Sequence, residues 1–161
     1  MSRLLLATDG SAPAEAALDF ALAMFGARSH DWMVVAVAAP PLPGMAPVEP
    51  DWVEITPLER AAVDRQLAAE RALARAIARI RAAGGTVRGY CRFGPPTTVL
   101  LEMLRGLSPD ALILGNPPRD TLARRAFGST ADRLLHAWPG VVLLVPEGGR
   151  VVTPRPRAMF T

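Results

Sequence analysis

The chain of 161 residues contains no lysine, a single cysteine and two histidines, and these absences exclude several kinds of site. Without lysine it can form neither a lysine Schiff base nor the lysine contact of a Walker loop. Cys91 has no partner for an internal disulfide, and His30 and His136 are too few for a cluster with zinc-ligand spacing. We therefore expect a cytoplasmic protein without a metal.

Long hydrophobic runs are also missing from the sequence. The apolar run near the N-terminus is interrupted by Thr8, Asp9 and Gly10, which leaves it too short for a signal peptide or a membrane span. Half of the residues are nevertheless hydrophobic, enough to bury one sizeable core. We expect one domain over residues 1–146, followed by a flexible C-terminal tail over residues 147–161.

The charge balance argues against nucleic acid and membrane partners. All 18 cationic side chains are arginines, they are interleaved with 15 acidic residues, and the net charge is only +3. This pattern is typical of a mixed, solvated surface rather than a basic patch for an anionic polymer or a membrane.

Short apolar runs alternate with segments of helical periodicity along the chain. This alternation predicts a doubly wound α/β fold: one mainly parallel five-stranded sheet with helices on both faces. A proline-rich loop is expected at residues 39–56. The predicted strands are 3–8, 32–38, 87–93, 111–114 and 141–145, and the predicted helices are 12–25, 57–83, 97–107 and 129–137.

The longest predicted helix has a clear start signal and an apolar stripe. Thr56, Pro57 and Glu59 form a capping-box pattern at its N-terminus. Apolar residues then recur at helical spacing, while the interleaved arginines are expected to face water. The predicted buried stripe comprises Val63, Leu67, Leu73, Ile77 and Ile80.

The most informative feature is the loop from Gly115 to Gly128-Ser129-Thr130. In doubly wound sheets, ligands bind at the carboxyl ends of the strands, where the strand order reverses, and Asp9 and Gly115 both stand at such ends. A helix starting at Ser129 would offer unpaired N–H groups to a phosphate, and Ser129 and Thr130 would add hydroxyl donors. Asp9 is suitably placed to accept hydrogen bonds from ribose hydroxyls.

Each of these residues also has a purely structural interpretation. Gly115 and Gly128 are compatible with a strand terminator and a tight turn, and Asp9 and Ser129 are compatible with helix caps. The sequence alone leaves both interpretations open.

Three segments together resemble a known family. The segment Ala7–Ser11 reads ATDGS, Gly94-Pro95-Pro96 follows the third strand, and Gly115 is separated from Gly128-Ser129 by a spacing close to Gly, two residues, Gly, nine residues, Gly and Ser or Thr. On these motifs the chain resembles the universal stress proteins of the UspA type over nearly all of residues 2–146.

This resemblance implies a Rossmann-like fold, a role in the stress response, a homodimer formed through the last strand, Val141–Val145, and binding of ATP or AMP with magnesium. An uncovered apolar strand of that kind would otherwise invite aggregation. By the same likeness, Asp9 would hold ribose and Val37 would present its backbone to adenine. The phosphates would be lined by Gly115, Gly128, Ser129 and Thr130.

The sequence departs from the family motif at Pro118, which follows Pro117 and replaces the second glycine. Proline fixes φ, has no N–H donor and carries a ring where glycine would let a phosphate approach. Losing a hydrogen bond to a charged group, about 1.5 to 3 kcal/mol, weakens binding roughly ten- to 150-fold. Arg119, Arg124 and Arg125 are candidates to restore part of this attraction.

Little in the sequence indicates an enzyme, because no catalytic triad, paired carboxylates or Walker loop is visible. His136 is interpreted as a surface residue near a helix end, His30 as part of a polar turn, and Cys91 as a small core residue. The preferred hypothesis is a stress-response protein that binds an adenine nucleotide. The alternatives are a nucleotide-free homodimer that acts through protein contacts and, more weakly, a slow ATPase or phosphotransferase.

Overall fold

A computed structural model describes residues 1–38, 57–116 and 122–148, with side chains for all of these except residues 122–129. The elements, in chain order, are β1 Ser2–Thr8, α1 Ala12–Phe25, β2 His30–Ala38, α2 Pro57–Ala82, β3 Thr86–Phe93, α3 Pro96–Leu107, β4 Ala111–Asn116, α4 Leu122–Ala137 and β5 Val141–Pro146. Outside the described residues lie the predicted loop 39–56 with the capping residue Thr56, the positions Pro117, Pro118 and Arg119, and residues 149–161 of the tail.

The five strands form one sheet in the order β3-β2-β1-β4-β5, and all neighbouring pairs are parallel. This confirms the predicted doubly wound α/β fold. The chain runs from β1 towards one edge through β2 and β3, and then returns to the other side of β1 through β4 and β5. The strand order therefore reverses between β1 and β4, which is where such sheets bind ligands.

Two hydrophobic layers enclose the sheet, because successive side chains of a strand point to opposite faces. In β1, Leu4 and Leu6 pack with buried residues of α1 and α2, whereas Leu5 packs with buried residues of α3 and α4. Trp32 in β2 is fully buried, and its indole N–H donates to the carbonyl of Ala27 at 3.1 Å. None of the described helices is long and apolar enough to cross a membrane.

The buried stripe of α2 differs in part from the sequence prediction. Ile80 is fully buried, but Val63 and Leu67 are about half exposed, and most of the buried face is alanine. Ala69 packs against β2 at its carboxyl end, and the residues before it extend past the strands. We call residues 57–68 the overhang of α2; at 1.5 Å per residue it is about 18 Å long. Val63 and Leu67 are exposed because none of the described strands continues beneath the overhang.

Two predicted boundaries near the candidate loop were wrong. α4 begins at Leu122 rather than at Ser129, because the preceding leucine, alanine and arginine residues favour a helix and an interior glycine costs only about 1 kcal/mol. β4 continues through Asn116, so Gly115 lies inside the strand and pairs with Val145. A glycine does not end a strand when its neighbours on both sides remain in the ladder.

The two histidines and the cysteine occupy three different environments. His30 is the first residue of β2 rather than part of a polar turn, and its ring meets Phe25 edge-on at 5.7 Å. Cys91 in β3 is only partly buried. The pKa of its thiol is raised, mainly by this burial and to a smaller extent by the negative charge of the nearby Glu70. His136 lies in the last turn of α4 with its side chain largely exposed.

Candidate functional site

The β1–α1 turn places Asp9 directly after β1, at the carboxyl edge of the sheet beside β4. Asp9 is exposed, and its Oδ1 accepts a hydrogen bond from the backbone N–H of Ser11 at 2.9 Å. The cap of α1 is Ser11, whose hydroxyl accepts from the N–H of Ala14 at 3.4 Å. Asp9 therefore shapes the turn without capping the helix, and its Oδ2 makes no hydrogen bond within the described part of the chain.

Gly115 lies in β4 where the first turn of α1 crosses the strand. A Cβ at this position would stand 2.4 to 2.6 Å from backbone atoms of Pro13 and Ala14. The neighbouring atoms are backbone and cannot turn aside as a flexible side chain does, so packing alone requires glycine here. The strand-terminator interpretation of Gly115 is wrong, and close helix packing is the role that the geometry shows.

Gly128, Ser129 and Thr130 lie inside α4, six or more residues after its start at Leu122. Only the first four N–H groups of a helix lack intrahelical acceptors, so the backbone donors of these three residues belong to a helix interior. The predicted helix start at Ser129 is therefore wrong, whereas contact of these three residues with a phosphate stays a prediction. In a helix that begins at Leu122, the N–H groups without an acceptor inside the helix are those of its first turn, residues 122–125.

Thr130 is buried, with 7% of its surface exposed, and faces α3. The hydroxyl of Thr97 at the start of α3 donates to the hydroxyl oxygen of Thr130 at 3.3 Å. This contact joins the two helices on one face of the sheet.

Val37 in β2 stands one residue beyond the last pair between β1 and β2, which is Thr8 with Ala36. On the other side of β2 it remains paired with Arg92 of β3. Its side chain is half-buried and packs into the core layer beneath α3 and α4. The carboxyl edge of the sheet thus brings together the ends of β2, β1 and β4, with Val37, Asp9 and Gly115 on adjacent strands.

Sequence reasoning missed two residues at this edge. Gly10 has a φ of +77°, and a Cβ there would lie 2.8 Å from Nη2 of Arg75 and 3.0 Å from the Cβ of Ala72. Glycine is therefore favoured here for two reasons: the backbone is left-handed, and α2 approaches too closely for a side chain. Arg75 is one of several arginines on α2, and no periodic signal in the sequence separates it from those that only meet water.

Ion pairs between α1 and α2 hold the helices together beside the turn. Arg79 donates to Oε2 of Glu15 at 2.7 Å and also pairs with Asp19. Nε of Arg75 lies 3.8 Å from the other oxygen of Glu15, beyond hydrogen-bond distance. The pairs are partly exposed, so each contributes at most about 1 kcal/mol to stability.

The described part of this edge carries groups that suit polar ligands. It offers an exposed carboxylate, a glycine turn and a guanidinium, which suit hydroxyl and anionic groups. Among the described residues there is no cluster of three or more His, Cys, Asp or Glu side chains that would hold a metal ion.

Comparison with known proteins agrees with this architecture. The model of the universal stress protein family matches residues 1–146. A universal stress protein of Mycobacterium tuberculosis is 43% identical over 56 residues, which is 35% of this chain and 19% of that relative. The match therefore spans about a fifth of the length of the curated relative.

Solved structures share the fold at low sequence identity. A universal stress protein family protein from Arabidopsis thaliana with AMP bound has a TM-score of 0.63 at 13% identity, over 91% of this chain and 92% of that one. A universal stress protein in complex with cAMP has a TM-score of 0.58 at 19% identity, over 91% of this chain and 97% of that one. Because the family model covers nearly the whole described sheet and its helices, the chain belongs to the universal stress protein family.

Proposed function

We propose that this protein acts in the stress response by binding an adenine nucleotide, ATP or AMP, at the carboxyl edge of the sheet between β1 and β4. The observation that carries the proposal is the exposed Asp9 beside Gly115 at the point where the strand order reverses. The AMP and cAMP present in two solved structures of the same fold support it.

In this proposal the ribose hydroxyls donate to the carboxylate of Asp9, and the backbone at Val37 contacts adenine. The phosphates would lie towards Gly115 and α4, the helix that contains Gly128, Ser129 and Thr130. Magnesium would accompany ATP through its phosphates. Binding is expected to be weak, because Pro118 removes an N–H donor that the family motif provides with glycine.

Calorimetry with ATP and AMP in the presence of magnesium tests the proposal directly. The unmodified protein should bind weakly, and Pro118→Gly should strengthen binding roughly ten- to 150-fold, the equivalent of one charge-assisted hydrogen bond. Pro117→Gly is the matched control, because it changes the neighbouring proline and leaves the motif position unchanged. Tight binding by the unmodified protein would show that the interpretation of Pro118 is wrong.

A second candidate function, a nucleotide-free homodimer that acts through protein contacts, is favoured by the position of β5 at the edge of the sheet formed by the described residues. Val141–Pro146 reads VVLLVP, it is the last strand of the sheet order, and Val141 is 57% exposed. An apolar edge strand without charges readily pairs with another strand. If neither the unmodified protein nor Pro118→Gly binds a nucleotide, this candidate replaces the first.

Light scattering after size-exclusion chromatography tests the dimer, which both candidates include. A mass near twice the 17.2 kDa of the chain is expected at micromolar concentration. Val141→Arg should shift the protein to monomer, because it places a charge on the edge that pairs. Thr86→Arg is the matched control on β3, the opposite edge strand, and should leave the mass unchanged. A monomeric unmodified protein would contradict the dimer.

Release of phosphate from ATP distinguishes binding from slow catalysis. The binding proposal expects no turnover above the background rate of the buffer. Turnover that Ser129→Ala abolishes would instead indicate a slow ATPase or phosphotransferase at the same edge.

A further inference from the structure

We infer that Arg75 of α2 binds the phosphate of the nucleotide and so makes the site selective for phosphorylated over unphosphorylated nucleosides. The inference rests on the proposed function, since it concerns the same edge of the sheet. It adds a residue outside the family motif, contributed by a different helix from the one that follows β4.

The first step is the position of the guanidinium. A Cβ built on Gly10 would meet Nη2 of Arg75 at 2.8 Å, so the guanidinium lies directly on the turn that follows Asp9. Ala72, one turn earlier on the same helix, lies equally close to Gly10. Arg75 is therefore level with the carboxyl end of β1, neither on the overhang nor at the opposite edge of the sheet.

The second step is the state of its hydrogen-bond donors. The nearest carboxylate, that of Glu15, already accepts from Arg79 at 2.7 Å and stands 3.8 Å from Nε of Arg75. Within the described part of the chain, Arg75 makes no hydrogen bond, and its side chain is 54% exposed. A guanidinium has five N–H donors in a fixed fork that matches a phosphate.

The third step is the electrostatic balance of the turn. Arg79 pairs with both Glu15 and Asp19, and Arg75 lies 3.8 Å from Glu15, so the two arginines together balance the two acids of α1. Arg75 makes only the long contact to Glu15, and its guanidinium lies at Gly10, the residue that follows the exposed Asp9. An arriving nucleotide would offer hydroxyls to Asp9 and a phosphate to Arg75, which are the two complementary parts of one ligand.

The glycine at position 10 fits this role. Its φ of +77° creates the turn, and the missing side chain leaves the space that the guanidinium occupies. A side chain there would push Arg75 away from the turn, so the position of the cation depends on Gly10 as well as on α2.

The test compares AMP with adenosine on three proteins: the unmodified chain, Arg75→Ala and the control Arg81→Ala. Arg81 is an exposed arginine of the same helix in its last turn, far from the carboxyl edge. Arg75→Ala should weaken AMP binding about tenfold or more and change adenosine binding by less than about twofold, since only AMP carries the phosphate. Arg81→Ala should change neither.

Arg75→Lys sharpens the result, because lysine keeps the positive charge but cannot form two parallel hydrogen bonds to a phosphate. Its AMP affinity should lie between those of Arg75→Ala and the unmodified protein. Thermal unfolding of each variant without ligand confirms that the fold is intact. Equal AMP affinity in Arg75→Ala and the unmodified protein overturns the role of Arg75 alone. Equal losses for AMP and adenosine indicate a structural role and also overturn it. Failure of both ligands to bind the unmodified protein and Pro118→Gly overturns the proposed function, and the role of Arg75 with it.

Discussion

The two halves of the candidate site differ in what their residues already do for the fold. In the half formed by the β1–α1 turn and α2, Asp9 and Arg75 expose polar groups that no neighbour fully uses. In the half formed by β4 and α4, Gly115 accommodates the backbone of α1, and Thr130 is buried against α3. A sequence motif therefore does not by itself identify a binding residue, because packing can require the same residue types.

This difference predicts separable phenotypes. Substitutions in the β4–α4 half should lower the free energy of unfolding, whereas substitutions in the β1–α1 half should change ligand affinity at nearly constant stability. Four substitutions test the comparison, beginning with the largest expected effect on stability.

Gly115→Ala should have the largest effect, about 1 to 3 kcal/mol lower free energy of unfolding, because the new methyl group overlaps the α1 backbone. Urea denaturation measures this change. Gly106→Ala is the matched control: it lies in α3 with open space around the added Cβ. It should be neutral or slightly stabilising, by up to about 1 kcal/mol. Equal effects at the two positions would contradict the packing role of Gly115.

Thr130→Val should lower the free energy of unfolding by about 1 kcal/mol, because it keeps the shape of the side chain and removes the hydroxyl that meets Thr97. A double-mutant cycle with Thr97→Val isolates the contact between the two helices. The two losses should be less than additive. Strict additivity would mean that the hydroxyl pair contributes nothing and that Thr130 has its importance elsewhere.

Arg79→Ala should cost less than about 1 kcal/mol, because its pairs with Glu15 and Asp19 are partly exposed and screened by solvent. The loss should shrink as salt is raised, since the Debye length falls to about 3 Å at 1 M. Chemical denaturation at low and high salt measures both effects. A loss that does not depend on salt would assign the contribution to packing of the arginine stem.

Asp9→Asn should have the smallest effect on stability, within about 0.5 kcal/mol, because asparagine can still accept from the N–H of Ser11. It should weaken binding of the proposed nucleotide, since the charged acceptor for the ribose hydroxyls is lost. Parallel calorimetry and thermal unfolding provide the comparison. A large loss of stability would mean that residues in both halves of the site stabilise the fold, which would contradict the comparison.

Most of the fold could be predicted from the sequence, because continuous apolar runs and helical periodicity are local signals. α1 was predicted with its observed bounds, Ala12–Phe25, since Ser11 and Gly26 mark both ends. α4 was predicted too short, because Gly128 was interpreted as a helix start although the residues before it favour a helix. Val63 and Leu67 were assigned to the core because periodicity cannot show where a strand beneath the helix ends.

For the candidate site, the sequence could predict only which residues lie at the carboxyl ends of β1 and β4. Asp9 and Gly115 were selected by the rule that ligands bind at the carboxyl edge of a doubly wound sheet, and their contact with a nucleotide stays a prediction. The assignments of Val37, Gly128, Ser129 and Thr130 to a nucleotide stay predictions, and so does the effect of Pro118. No local pattern could reveal Arg75, since its position depends on how α2 crosses the turn at Gly10.

The sequence by itself determined the class of fold, the alternation of elements and the absence of lysine chemistry, because each depends on residue type and local spacing. Only the tertiary structure decided what the motif glycines and hydroxyls do. Gly115 contacts a helix backbone about one hundred positions earlier in the chain, and Gly10 meets a helix more than sixty positions later. Such contacts arise from chain segments that packing brings together, and they leave no periodic trace in the sequence.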